Sequence, residues 1–536
     1  MNVMKRIFAV IVGVFLAGVA CAQVAFPSLE PIFTYTPQRA VLTGEDVIRA
    51  GLEFSLCPQD SAQGTQVLKK YRELEDIVTS AAYQALTVSE RGEKILALMY
   101  ECVLNQYVSN QTKIDTLFAE GTYNCVSASV LYFALARAAG LNVAGQETPN
   151  HAFCTIYDNG KKIDVETTNP GGFNPGTKKV VEQTANSTRY FLVPKKYYSG
   201  RREVGERKFV SLVGRNLVAA MNDKNDYEQG VPLSCARIVF TNGTAAKDTA
   251  DVRADFDTIA GNFAVVLDQQ RSQSARALDW LDAVYARWGQ SAALQKTYDT
   301  IAYNCAVNYL KGKDYASARE QFETHKVHIT AKNAAQIDVM IVTAYIDDTV
   351  QPLSADEAIA FLHAQRETPI AKDRTVSARL NEHEEYYWYQ KLKPLFDGGD
   401  YLAAAALADQ GLTFVPSSRN LKTVRNQCYQ NYAIDVHNEF ADLANMGRYD
   451  EALHVVQKGL QVKPIVSALQ PADQCDDPTD DNDNQTNANV GARRLAKCLC
   501  NALCPRSQIV VVEQHVDTAR NRHNQRNEFE RKLYAQ

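Results

Sequence analysis

The stretch GTYNCVSASVLYFALARAAGL, Gly121 to Leu141, decides how the rest of this chain is read. From Val126 to Ala139 it carries one charge, Arg137, and so predicts a helix lying in a domain core. Asn124 is an N-cap residue type, which makes Cys125 the first helical residue. Backbone N–H groups left unpaired at that end, and the helix dipole, favour a thiolate over a thiol. A cysteine so placed is a nucleophile if a base is within reach. Without one it is a small apolar core residue.

The pattern changes after Leu141. HAFCTIYDNGKKIDVETT, from His151 to Thr168, holds two β-prone runs around Asn159-Gly160, a type I′ hairpin signal. With those two residues as the loop, Asp158 pairs with Lys161, Phe153 faces Glu166 and His151 faces Thr168. Because side chains alternate, His151, Phe153 and Thr155 share a face with Thr168, Glu166 and Asp164. Glu166 is then the diagonal neighbour of His151, within side-chain reach, and Asp164 lies one step further along the same face. The base for Cys125 is thus His151, with Glu166 favoured to orient it and Asp164 in reserve. Cys154 has the opposite parity and should point away from the site. Ser127 and Ser129 read as helix packing or hydroxyl-to-backbone bonds, since no base is arranged for them.

Asn124-Cys125-Val126-Ser127, then His151-Ala152-Phe153, then Glu166-Thr167-Thr168, resemble the ordered Cys, His and [Asp/Glu]-x-Thr motifs of the transglutaminase-like superfamily. The resemblance covers about residues 90 to 180. Here Tyr123-Asn124 and Glu166 stand where members commonly have Gly and Asp. The resemblance implies a papain-like α+β domain in which Cys125 attacks an amide carbonyl and His151 shuttles the proton. The acyl group then passes to water or to an amine, with water favoured. The Cys125 N–H would serve in the oxyanion hole.

Ahead of this motif, SERGEKILALMYECVLNQYV predicts a helix capped at Ser89, with Ile95, Leu96, Leu98, Met99, Cys102 and Val103 on its apolar face. Beyond about residue 205 helical patterns dominate as far as Pro464. GDYLAAAALADQGLTFVP at Gly399 and GRYDEALHVVQKGLQVKP at Gly447 share Gly, Tyr, Ala, Gly and Pro at matching positions: Gly399/Gly447, Tyr401/Tyr449, Ala404/Ala452, Gly411/Gly459 and Pro416/Pro464. GKDYASAREQF at Gly312 and NDYEQG around Tyr227 are looser copies. These resemble tetratricopeptide repeats, helix–turn–helix units with small residues where helices cross. The wide spacing of the two best copies implies an irregular array. The expected architecture is therefore an α+β transglutaminase-like domain over 40–200, a core helix plus a small antiparallel sheet, followed by an all-α irregular tetratricopeptide-like solenoid over 205–466.

Composition narrows the function. The 536 residues are 46% hydrophobic and 22% charged with a net charge of −5, which leaves no basic stripe for nucleic acid. Lys5 and Arg6 precede IFAVIVGVFLAGVA and then ACA, which predicts a secretory signal peptide over 1–22. Lipidation at Cys21 is the alternative. No other segment is long and apolar enough to span a membrane, so an exported, periplasmic or envelope-associated protein is expected.

PADQCDDPTDDNDNQTNANVG predicts an acidic disordered linker over 467–492, and it lacks the Gly and distal Glu of a calcium loop. A Cys-containing segment, 493–536, follows. Of the twelve cysteines, Cys57, Cys102, Cys235, Cys305 and Cys428 lie singly in helical patterns and are expected to be buried. Cys475, Cys498, Cys500 and Cys504 suit one or two disulfides, because C-x-C-x3-C lacks the paired spacing of a zinc site. No cofactor or metal is called for. The expected partners are a peptide or protein substrate and a protein held by the helical repeats. The competing expectation is a non-catalytic envelope scaffold with an inert head.

Overall fold

The computed structural model describes residues 25–35, 37, 41–175, 180–184, 187–191, 200–270 and 272–462. The expected signal peptide with Cys21, the acidic linker, and the C-terminal segment with Cys475, Cys498, Cys500 and Cys504 lie outside the described residues. The described residues are mostly helical, with a small four-stranded antiparallel sheet, two two-stranded pairs and repeat-like helix packing.

In order, the first elements are α1 (Gly44–Phe54), α2 (Ala62–Thr79), α3 (Ala81–Gln84), α4 (Val88–Cys102), β1 (Gln106–Tyr107), α5 (Ile114–Glu120), β2 (Thr122–Tyr123) and α6 (Cys125–Ala138). Then come β3 (Asn142–Thr148), β4 (His151–Asp158), β5 (Lys161–Val165), β6 (Val180–Thr184), β7 (Ser187–Phe191) and β8 (Arg202–Val204). The remainder is helical: α7 (Glu206–Asp223), α8 (Tyr227–Thr241), α9 (Ala246–Val265), α10 (Ser274–Trp288), α11 (Ala292–Lys311), α12 (Tyr315–His325), α13 (Ala331–Val350), α14 (Ala355–Arg366), α15 (Arg374–Asp397), α16 (Tyr401–Phe414), α17 (Arg419–Asn445) and α18 (Tyr449–Leu460).

The core helix forms where its sequence places it. In α6 every residue from Val126 to Ala136 is buried. The four-stranded sheet has the order β5-β4-β3-β8, antiparallel throughout, and β1 pairs with β2 in a short parallel ladder. Asn159 and Gly160 both take positive φ, 47° and 83°, as a type I′ turn requires. That turn fixes the register, Asp158 opposite Lys161 and Cys154 opposite Val165, as counted from the sequence. Two local expectations change. The N-cap of α4 is Thr87, because Glu90 three residues on returns a bond to the cap N–H, whereas Ser89 has Gly92 in that place. Cys102, the last residue of α4, is exposed; Cys57, Cys235, Cys305 and Cys428 are buried.

The chain divides into two compact units at Ile337/Asp338. In the first, helices beyond residue 205 share the core of the sheet and α6. Phe209 of α7 lies 5.6 Å from Phe133, and its ring fills the space over Gly145 of β3, where a Cβ would come within 2.2 Å. The buried Lys208 ammonium binds Glu147 of β3 at 2.8 Å and Asp251 of α9 at 2.7 Å.

One turn recurs at the four repeat-like positions. Asn225, Lys313, Gly399 and Gly447 take positive φ. The next residue donates its N–H back to Met221, Tyr309, Leu395 or Leu443 at 2.8–3.0 Å, and a tyrosine then opens α8, α12, α16 or α18. This is a Schellman stop followed by a new helix. Three positions after each tyrosine stand Gly230, Ala318, Ala404 and Ala452, all buried. Small residues at that place let paired helices approach closely. In the second unit the part of α13 from Asp338 onward, with α14, α15, α16 and α17, encloses a core built on Ile346, Leu362, Leu380, Trp388, Leu392 and Leu421.

Candidate active site

Asn124 is extended (φ −123°) and its Oδ1 accepts the N–H groups of Val126 and Ser127, each at 3.0 Å. Ser127 Oγ accepts the Asn124 N–H at 3.0 Å, which closes a capping box. The cap leaves the N–H of Cys125 without an acceptor among the described residues. Cys125 itself is partly exposed.

His151 opens β4 with its side chain 14% exposed, and Nε2 lies 2.7 Å from Glu166 Oε2, itself 3% exposed. The same imidazole interacts with the side chain of Cys125. Burial opposes the imidazolium. Hydrogen bonds with Cys125 and Glu166, together with their charges, outweigh it and raise His151 from 6.5 to about 10. His151 therefore links the Cys125 side chain to the Glu166 carboxylate.

Glu166 sits one residue past the end of β5, and local bonds hold it there. Its Oε1 accepts from Thr168 Oγ1 at 2.7 Å and from the Thr168 N–H at 3.3 Å. Its N–H donates to Gly172 O at 2.9 Å. A Cβ on Gly172 would lie 2.0 Å from Glu166 O, so this turn of the NPGG loop closes only over glycine. Asp164, the reserve candidate, is placed elsewhere. Arg201 pairs with both its oxygens at 2.7 and 2.8 Å, and Thr155 Oγ1 donates to it at 2.7 Å.

A second layer ties the three segments together. Ser129, one turn below Cys125, shares a hydroxyl–hydroxyl bond of 2.7 Å with Thr167 and donates to Ala152 O at 3.2 Å. Each partner adjoins one of the linked residues: Ala152 follows His151 and Thr167 follows Glu166. Tyr100 Oη donates to Thr167 O at 3.0 Å and accepts from Tyr123 Oη at 3.1 Å. The sequence reading named Thr167 and Thr168 only as motif residues, with no role, and did not find Tyr100. The Thr in Glu-x-Thr was its one visible signal, while Tyr100 carries none. Cys154, on the opposite parity, donates to Ser129 O at 3.4 Å, and burial pushes its thiol far up.

No family model matches this chain, and none of the curated proteins matches it. Among solved structures, the crystal structure of menin, which reveals its binding site for Mixed Lineage Leukemia (MLL) protein, aligns over 72% of this chain and 90% of menin. The identity is 10% and the TM-score 0.25, a likeness too slight to bear on fold or function.

Among the described residues no group of three or more His, Cys, Asp or Glu side chains is arranged to hold a metal ion. No helix among them is long and apolar enough to cross a membrane.

Proposed function

We propose that this chain is an exported cysteine amidohydrolase of the transglutaminase-like kind, with Cys125 as nucleophile, His151 as proton shuttle and Glu166 as the group that orients it. The observation that carries this reading is the 2.7 Å His151–Glu166 bond on an imidazole that also interacts with Cys125, the first residue of a buried helix. An imidazolium beside a sulfur stabilises its thiolate. The thiolate attacks the amide carbon, and the Cys125 N–H donates to the developing oxyanion. His151 protonates the leaving amine as the C–N bond breaks, leaving a thioester. Water then attacks with His151 as base, releasing a carboxylic acid and restoring the thiol. An amine entering in place of water gives a new amide by the same steps.

The Lys5-Arg6 leader supports export, and the helix–turn–helix units suit a peptide or protein partner. That recurring turn also favours a second reading, a repeat scaffold with an inert head. Site-resolved alkylation with iodoacetamide separates the two. Catalysis requires Cys125 to label far faster than the exposed Cys102 at a pH below the free-thiol range (about 8.5), and His151→Ala to abolish the difference. Equal rates at the two cysteines would leave the scaffold.

A further inference from the structure

Three described stretches border Cys125, His151 and Glu166, and each adjoins one of them. Residues 105–112, NQYVSNQT, lie against the helix end: Tyr123 O accepts from the Val108 N–H at 2.8 Å, Ser109 O from Asn124 Nδ2 at 3.3 Å and Gln111 O from Ser127 Oγ at 3.4 Å. Residues 148–150, TPN, turn β3 into β4 directly before His151. Residues 167–172, TTNPGG, close the turn under Glu166. In a chain with 22% charged residues, none of these stretches holds a Lys, Arg, Asp or Glu.

Two charges on the face counted for His151 and beside it are paired with each other. Asp164 and Arg201 pair bidentately, and the guanidinium lies 4.9 Å over the Phe153 ring. What the border presents instead is carboxamide and hydroxyl. Gln106, Ser109, Asn110 and Asn150 are exposed, and Tyr107 offers an exposed aromatic face.

We propose that the site selects an uncharged peptide amide whose flanking side chains carry hydroxyl, carboxamide or aromatic groups, and that it discriminates against acidic and basic flanks alike. The inference rests on the proposed nucleophile and deepens it. A neutral polar flank exchanges its hydrogen bonds with water for bonds to Asn, Gln, Ser and Tyr at little net cost. A charged flank that loses water against these three stretches finds no opposite charge in them.

The test uses the full chain and three peptidyl acyloxymethyl ketones that differ only in their flanks: Ser-Asn-Tyr, Asp-Glu-Asp and Lys-Arg-Lys. The Cys125 sulfur attacks the methylene carbon as the C–O bond breaks and a carboxylate leaves, so the rate reads binding of the flank. The Ser-Asn-Tyr probe should label Cys125 on the order of tenfold faster than either charged probe. A charged probe that matches or beats it would overturn the proposal even where iodoacetamide still labels Cys125 rapidly. Slow iodoacetamide labelling of Cys125 would overturn the catalytic reading, and this inference with it.

Discussion

Replacing Glu166 with Gln removes one negative charge and keeps the shape of the side chain. In the wild type, Oε2 lies 2.7 Å from His151 Nε2 at a carboxylate only 3% exposed, so solvent screens the pair little. A hydrogen bond of this charge-assisted kind is worth about 1.5–3 kcal/mol, and one pH unit in a titration corresponds to about 1.4 kcal/mol. Glu166→Gln should therefore draw the His151 midpoint down from about 10 by roughly one to two pH units. The bond with Cys125 remains in the variant, so the midpoint should not fall all the way to 6.5. The assay is an NMR titration of the imidazole carbon of His151, assigned by its loss in His151→Ala. Stability follows the same sign. A histidine raised on folding contributes fully below 6.5, and that contribution is lost as pH climbs through about 10. An unchanged midpoint in Glu166→Gln would refute the argument, because the carboxylate would then not be what holds the imidazolium.

Asp164→Asn should leave the His151 midpoint where it is, since Arg201 and Thr155 hold that carboxylate. Its cost, read as a urea midpoint, should stay near 1 kcal/mol or below for a pair this exposed; a shifted His151 would reverse the assignment. Ser129→Ala strands the buried Thr167 hydroxyl and should cost about 1–3 kcal/mol of stability and slow Cys125 labelling as well. Loss of stability with normal labelling would make Ser129 packing alone. Gly411→Ala tests the helix crossing of the second unit. Its Cβ would fall 2.8 Å from Trp388 Cγ and 3.0 Å from Leu421 Cδ1. The clash, about 1–3 kcal/mol, exceeds the ~0.5–1 kcal/mol that alanine gains inside a helix, so the melting temperature should fall. A rise would mean that the helices are not in close contact at that glycine.

What could be read from the sequence alone was whatever short-range bonds and backbone preferences decide. Asn124 caps α6 through N–H groups two and three residues ahead. Asn159-Gly160 supplies the two positive φ values of its turn, and the register to Cys154–Val165 follows by counting. The repeated Gly-x-Tyr turns are equally local, as is the Thr87/Glu90 cap, whose reciprocal bonds were there to be found. The choice between Glu166 and Asp164 was not local. Both lie on the face counted for His151, and an arginine 37 residues beyond Asp164 settles which carboxylate is engaged elsewhere. The Ser129–Thr167 bond, the exposure of Cys102 and the division at Ile337/Asp338 likewise depend on segments distant in the chain. Local chemistry specifies which conformations a residue can adopt; only the folded packing specifies which distant partner completes its hydrogen bonds.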